Sequence, residues 1–69
     1  MAVINITLNG EPREVPGEIR LDSLLELFSL PNQRVAIEMN GDVVRRPDWP
    51  RQIVNDGDKI EVVHFVGGG

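Results

Sequence analysis

The sequence of 69 residues contains no cysteine and only one histidine. Without a thiol, the chain cannot form disulfides, thiolate nucleophiles, iron–sulfur clusters or cysteine–zinc sites. A single imidazole also excludes a histidine-rich metal site, and we therefore expect this chain to hold no metal. No nucleophile elbow, phosphate-binding loop or zinc-protease motif occurs, so the sequence gives no support for an autonomous enzyme.

Long apolar runs are absent as well. No stretch approaches the roughly 20 residues that a membrane-spanning helix needs. Residues 1–5 lack the basic start and the apolar stretch of a secretory signal. The length allows one domain with one compact core. We therefore expect a single-domain protein that works in the cytoplasm and does not enter a membrane.

Positive charge is scarce. Eleven acidic residues against seven basic ones give a net charge of −4. Nucleic acids and anionic membranes bind through clustered lysine and arginine, so we expect neither as a partner, whereas a basic protein surface is attracted. Residues 45–51 hold three arginines around Trp49, but two prolines and an aspartate interrupt this small basic cluster. We expect Trp49 to cover the edge of the core and the arginines to be solvated.

The N-terminal residues predict a β-hairpin. Val3–Leu8 is rich in β-branched residues, and its alternation places three aliphatic side chains on one face of a strand. Asn9 and Gly10 predict the turn, because both residue types accept positive φ. The chain returns through residues 13–15. Pro12 has no N–H to donate, which predicts that the returning strand lies at an edge of the sheet.

Apolar residues change their period over Leu21–Leu30, which predicts a helix. They recur there at intervals of three and four residues, as on one face of a helix. Ser23 with Glu26 fits a capping box, and Asp22 is an alternative cap. Pro31 is predicted to end the helix. So short a helix is not stable alone in water, and it must pack on a sheet.

The second half of the chain predicts more strands around an irregular segment at residues 45–51. These strands are Val35–Met39, 43–44 and Lys59–Val66, with turns at 40–42 and 55–58. The element order predicts an α+β domain, with a mixed sheet of four to five strands and one main helix packed on one face. If the last strand is parallel to the first, the architecture is a β-grasp. We place this domain at residues 1–66 and a flexible glycine tail at residues 67–69.

The tail is the most informative feature of the sequence. Gly67, Gly68 and Gly69 are three of the seven glycines. Without Cβ atoms, such a tail is narrow and flexible, and it could pass through a channel that excludes any side chain. Its last residue carries a carboxylate. A frayed terminus is the plain alternative, but the tail leaves a predicted strand with no intervening turn, which favours a functional role.

The last strand also offers a candidate docking face beside the tail. Val63 and Phe65 alternate on one face of this strand, and Ile60 and Val62 lie on the other. If the second face meets the helix, Val63 and Phe65 are partly exposed and suggest a surface for a protein partner. The opposite interpretation, that both belong to the core, is equally compatible with the periodicity.

Several of these segments together resemble one known family. Residues 55–69, NDGDKIEVVHFVGGG, look like the C-terminal third of the sulfur carriers of thiamin biosynthesis, which are ubiquitin-like β-grasp proteins. Leu21–Leu30 resembles their leucine-rich helix, and residues 35–41 resemble their middle strand and turn. Residues 45–49 resemble a segment that often holds a proline and a tryptophan. The resemblance extends over the whole chain, and its most specific parts are the segment order and the final Gly68-Gly69.

The resemblance implies a mechanism. An adenylyltransferase related to ubiquitin-activating enzymes would adenylate the carboxylate of Gly69, using ATP and magnesium that the partner binds and this chain does not. Sulfur mobilised by a cysteine desulfurase would then convert Gly69 to a thiocarboxylate, and thiazole synthase would receive it to build the thiazole ring of thiamin. Gly67 and Gly68 would thread the partner's active site. The lack of cysteine agrees with this role, because transferable sulfur must then be carried on another group.

Other functions of the same fold stay open. The small subunit of molybdopterin synthase uses the same terminal chemistry, but its last strand often carries prolines, which Val62–Val66 lacks. Carriers for other sulfur metabolites are a further alternative. A ubiquitin-like modifier would join its terminal glycine to lysines of other proteins. A nucleic-acid-binding β-grasp module is the last alternative, and the acidic balance opposes it.

Overall fold

A computed structural model describes residues 2–65, so Met1, Val66 and Gly67–Gly69 lie outside the described residues. Within that range the chain forms five strands, one α-helix and one 3₁₀ helix. The strands are β1 (Val3–Leu8), β2 (Glu11–Pro16), β3 (Val35–Met39), β4 (Asp42–Val44) and β5 (Lys59–His64). The helix α1 is Leu21–Leu27, and the 3₁₀ helix is Arg46–Arg51.

The five strands form one mixed sheet in the order β2-β1-β5-β3-β4. β1 is antiparallel to β2 and parallel to β5, and β3 is antiparallel to both β4 and β5. The last strand therefore lies in the middle of the sheet, parallel to the first. This arrangement confirms the predicted α+β fold and its β-grasp architecture, with one main helix on one face.

Two Asn-Gly turns set the register of the sheet. Asn9 and Gly10 both have positive φ (52° and 82°), as do Asn40 and Gly41 (54° and 89°). Such a pair matches the twist of a two-residue hairpin. The first turn joins β1 to β2, and the second joins β3 to β4. The β2 strand, which contains Pro12, lies at an edge of the sheet as predicted.

The helix α1 begins at Leu21 as predicted, but its start is capped differently. The residue before the helix is Arg20, so neither Ser23 nor Asp22 stands at the N-cap, and the predicted capping box is wrong. Asp22 lies in the first turn, where its Oδ1 accepts the N–H of Ser23 at 2.8 Å. The backbone N–H of Leu21 donates instead to the carbonyl of Gln52 at 3.1 Å. A bridge between Arg20 and Ile53 brings that carbonyl into place. A distant backbone segment thus satisfies one of the N–H groups that a helix start leaves unpaired.

The end of α1 also differs from the prediction. The helix ends at Leu27 rather than at Leu30, and Pro31 is not what ends it. Ser29 has a φ of 54°, which is the left-handed conformation that terminates many helices. The carbonyl of Leu25 then accepts a hydrogen bond from the N–H of Leu30 at 2.8 Å. The chain has therefore turned away two residues before the proline.

The core lies between α1 and one face of the sheet. It contains eleven buried apolar residues: Ile6, Leu8, Val15, Leu21, Leu24, Leu25, Val35, Ile37, Trp49, Val54 and Ile60. Residues 46–51, predicted to be irregular, form the 3₁₀ helix that inserts Trp49 into the edge of this core. The indole N–H of Trp49 donates to the carbonyl of Val44 at 2.9 Å, which anchors the 3₁₀ helix to β4. Among the described residues, no helix is long and apolar enough to cross a membrane.

Candidate functional site

The candidate site is the end of β5, because this strand leads to the C-terminal glycines. β5 has a neighbour on each side, β1 and β3. Ile60 is fully buried, and Val62 packs against the core cluster. On the opposite face, Val63 exposes 48% of its surface, and Phe65, the residue after the strand, exposes 52%. Strand alternation thus divides the apolar residues of β5 between the core and the solvent.

The sequence allowed Val63 and Phe65 to be either exposed or part of the core, and the structure shows that both are exposed. Val63 lies opposite Ala36 of β3, on the outer face of the sheet. Ile60 lies opposite Met39, on the face that packs against α1. Neither Val63 nor Phe65 belongs to the buried core. Their exposure is what a docking face requires, and the docking role itself stays a prediction.

The exposed apolar surface extends beyond these two residues. Ala36 is half-buried beside Val63, and Val43 on β4 is 65% exposed. The register places Val43 opposite Glu38, one diagonal step from Ala36 on the same outer face. We call Ala36, Val43, Val63 and Phe65 the outer patch. Sequence reasoning missed Ala36 and Val43, although two consecutive valines in a strand already require that one of them faces outward.

A pair of carboxylates lies within the outer face. Glu38 and Glu61 are directly opposite each other on β3 and β5. Like charges in that position are unfavourable for the sheet. Lys59 offsets them in part, with its Nζ atom 3.9 Å from Oε1 of Glu61. The patch is thus apolar with an acidic neighbour, which suits a partner surface that combines apolar and basic side chains.

The basic cluster of residues 45–51 is used within the fold. The guanidinium of Arg46 stacks over the indole of Trp49, with 4.5 Å between its carbon and the ring centre. Arg51 lies 3.4 Å from the carboxylate of Asp48 in an exposed ion pair. Trp49 covers the core edge and the arginines are exposed, as predicted. These contacts give Arg46 and Arg51 a role in supporting the 3₁₀ helix.

The Asp56-Gly57-Asp58 segment is a turn, as expected, and its carboxylates bind the backbone. Oδ1 of Asp56 accepts the N–H of Asn5 at 2.8 Å. Oδ2 of Asp58 accepts the N–H of Asn55 at 2.8 Å. Within residues 2–65 no group of three or more potential metal ligands is clustered. The aspartates therefore hold the connection into β5.

A concave feature lies on the other side of the molecule. An open cavity of about 310 Å³ lies between α1 and the 3₁₀ helix, with Leu25, Leu30 and Trp49 among its lining residues. The carboxylates of Asp22 and Glu26 are at this cavity, together with Arg46. It lies on the helix side of the sheet, away from the outer patch. The predicted carrier site thus has the form of a surface and a tail, separate from this cavity.

The reactive part of the predicted site lies outside the described residues. This applies to Gly69, the predicted attachment point, and to Gly67 and Gly68, predicted to thread a partner. The predicted boundary between domain and tail, after Val66, lies outside them too. The described chain ends at Phe65, whose backbone N–H donates to the carbonyl of Arg34 at 2.9 Å. The sheet therefore holds the chain as far as Phe65.

Comparisons with known proteins agree on one family. A sequence model of the ThiS family matches residues 6–69. The sulfur carrier protein ThiS of Thermus thermophilus is 34% identical over 64 residues, which is 93% of this chain and 98% of that protein. The crystal structure of the thiamine biosynthesis protein ThiS from Geobacter metallireducens has a TM-score of 0.84 at 35% identity, covering 96% of this chain and 100% of that one.

Longer proteins match as well. The thiazole synthase of Paramagnetospirillum magneticum is 35% identical over 66 residues, which is 96% of this chain. This chain spans about a fifth of the length of that protein and of the thiazole synthase of Magnetococcus marinus, 20% in each case. A unit similar to this chain therefore also occurs as a part of longer proteins.

Proposed function

The chain belongs to the ThiS family, and from this membership we propose that it is a sulfur carrier for the thiazole ring of thiamin. Gly69 carries the sulfur as a thiocarboxylate. The chain is a substrate and a carrier, and the catalysis belongs to its partner enzymes. The match of the family model over residues 6–69 is the observation that carries the proposal.

The proposed chemistry takes place at one carboxylate. An oxygen of the Gly69 carboxylate attacks the α-phosphorus of ATP, and pyrophosphate leaves. Sulfur supplied at the oxidation level of sulfide then attacks the acyl carbon, and AMP leaves with that oxygen. The product is the Gly69 thiocarboxylate. ATP and magnesium bind to the adenylyltransferase, which is related to ubiquitin-activating enzymes, and this chain binds no cofactor of its own.

The outer patch is the proposed docking surface for these partners. Val63 lies on the strand that leads to the tail and Phe65 follows it, so one contact both holds the carrier and directs Gly69 towards a partner's active site. Val63 and Phe65 form its centre, and the carboxylates of Glu38 and Glu61 favour a partner with basic side chains. Gly67 and Gly68 then provide the narrow thread that enters the active site.

Thiazole synthase is the proposed sulfur acceptor, and a cysteine desulfurase is the proposed indirect source. The two thiazole synthases that contain a unit similar to this chain support the first assignment. Joining two units in one chain raises their effective concentration, which is useful for proteins that react with each other. This observation also favours the thiazole pathway over molybdopterin synthesis and over protein modification. We place the reaction in the cytoplasm, with neither nucleic acid nor membrane as a partner.

Intact mass spectrometry tests the proposal. The protein, without a C-terminal tag, is incubated with an extract of its host, ATP and cysteine. The expected result is a mass gain equal to sulfur minus oxygen. Alkylation of the new thiocarboxylate followed by removal of the C-terminal peptide must remove this gain. A sample without ATP is the control, because the carboxylate is not activated there and its mass must not change.

A variant with one residue added after Gly69 locates the reaction on the chain. It keeps every residue of the fold but moves the carboxylate beyond the glycines, so we expect normal folding and no sulfur loading. Loading of the extended variant without proteolytic trimming would contradict Gly69 as the attachment point. No mass change in the wild type, in an extract whose adenylating enzyme is active, would contradict the carrier function and favour a modifier or a non-reactive interaction module.

A further inference from the structure

The end of β5 extends beyond β1, the strand that pairs with it on one side. β1 pairs with β5 through two residues only, Thr7 with Lys59 and Leu8 with Ile60. The chain of β1 then turns away at Asn9 into the first hairpin. Farther along β5, the backbone N–H groups on this side need another acceptor, because an unpaired backbone group weakens a sheet.

The side chain of Asn9 supplies that acceptor. The backbone N–H of Asn9 donates to the carbonyl of Ile60 at 2.9 Å. Its side-chain Oδ1 accepts the N–H of Val62 at 2.8 Å. On the opposite side of β5, the N–H of Phe65 donates to the carbonyl of Arg34 at 2.9 Å. The last residues of the sheet before the tail are therefore held from both sides, and on one side the support is a single side chain.

We propose that Asn9 is a positioning residue for the loading of the C-terminal carboxylate, acting through Val62. By extending the parallel pairing by one hydrogen bond, it fixes the direction in which the chain leaves the sheet towards Gly69. The inference rests on the proposed carrier function, in which a partner must receive that carboxylate in line with ATP. Reactions of this kind depend steeply on the placement of the attacking atom.

Asn40 provides a matched comparison within the same chain. It too is an asparagine before a glycine, at a φ of 54°, and its Oδ1 accepts the N–H of Lys59 at 2.9 Å. Its Nδ2 also donates to Oδ1 of Asp58 at 3.0 Å. Asn40 thus makes the same kind of bond to β5, but at the first residue of the strand instead of near its end.

The test compares Asn9→Gly, Asn9→Asp and Asn40→Gly. Glycine keeps the left-handed turn and removes the acceptor, whereas aspartate keeps an acceptor oxygen. The concentration of the carrier is varied at a fixed concentration of its adenylating enzyme and saturating ATP. The rate of pyrophosphate release then gives kcat and KM for the carrier. A misplaced carboxylate lowers the rate of the chemical step. We therefore expect Asn9→Gly to reduce kcat about tenfold with little change in KM. We expect Asn9→Asp to keep kcat near the wild-type value. Asn40→Gly should also leave kcat unchanged, even though it lowers the melting temperature at least as much as Asn9→Gly does.

Amide exchange of Val62, followed by NMR, provides an independent measurement. We expect faster exchange in Asn9→Gly and wild-type protection in Asn40→Gly. Unchanged kcat in Asn9→Gly, equal losses in both glycine variants, or unchanged protection of Val62 would each overturn the role of Asn9 while the carrier function stands. A wild-type chain that the enzyme does not adenylate would overturn the carrier function and this role with it.

Discussion

Phe65 exposes half of its surface at the point where the chain leaves the sheet. Because Phe65 lies outside the core cluster and half of it stays exposed, Phe65→Ala should lower the free energy of unfolding by less than about 1 kcal/mol. At the centre of a docking surface, the same truncation should weaken binding of the adenylating partner about tenfold, or ~1.4 kcal/mol. Isothermal calorimetry of binding and urea unfolding measure the two effects.

Val62→Ala is the control for this variant. Val62 is the neighbouring apolar residue on the inner face, where it packs against the core cluster. Its truncation should lower stability by roughly 1 kcal/mol, with binding retained. A large loss of melting temperature in Phe65→Ala with unchanged binding would place Phe65 in a structural role, and the outer patch would lose its central residue.

At the residue scale, the sequence predicted burial better than hydrogen bonding. Strand alternation indicated that Val63 and Phe65 share a face, and the register then decided which face meets α1. The acceptor role of Asn9 towards Val62 could not be predicted, because it depends on how far β1 and β5 overlap. That overlap is a property of two strands at opposite ends of the chain.

At the scale of the elements, α1 is the only α-helix among residues 2–65, and the core depends on it. Leu24 is fully buried on this helix. Truncation of a buried leucine costs about 2–5 kcal/mol, and a domain of this size is stable by only ~3–5 kcal/mol. We therefore expect Leu24→Ala to be largely unfolded at room temperature, which far-UV circular dichroism and urea titration measure.

Leu27→Ala is the matched control on the same helix. Leu27 is 51% exposed, so this substitution removes the same atoms without creating a cavity. Its unfolding free energy should stay within about 0.5 kcal/mol of the wild type. If both leucine variants lose stability equally, the packing of α1 on the sheet is not what holds the fold together.

The elements also show where sequence patterns stop being informative. All five strands were predicted because alternation and Asn-Gly turns are local signals. The first residue of α1, Leu21, was predicted too, but its capping and its end were not, because Gln52 supplies the acceptor at its start and the left-handed Ser29 ends it before Pro31. A capping pattern is read from neighbouring residues, so it cannot predict a hydrogen bond to a residue that is distant in sequence. The 3₁₀ helix was missed for a related reason, since burial of Trp49 organises a segment with two prolines.

At the scale of the whole molecule, charge and topology act together. The parallel pairing of β1 with β5 places the last strand in the middle of the sheet, with a neighbour on each side, while one face stays exposed. The net charge of −4 adds a long-range attraction for a basic partner. The carboxylates of Glu38 and Glu61 bring part of that charge onto the outer face itself.

The association rate with the adenylating partner should therefore fall as salt is added. The Debye length shortens from about 30 Å at 0.01 M to about 3 Å at 1 M ionic strength, which removes the attraction between separated charges. The double variant Glu38→Gln with Glu61→Gln should associate more slowly at low salt and show a weaker salt dependence. Stopped-flow fluorescence measures both, and stability should be unchanged or raised because two like charges no longer face each other.

A second double variant separates local charge from total charge. Asp22→Asn with Glu26→Gln removes the same number of charges, but both from α1, on the opposite side of the sheet from the outer patch. If the docking surface is the outer face, this variant should keep most of the wild-type association rate, because steering is strongest for charges that end up near the partner. Equal slowing by both pairs would mean that only the net charge matters, and a rate independent of salt would contradict a basic partner altogether.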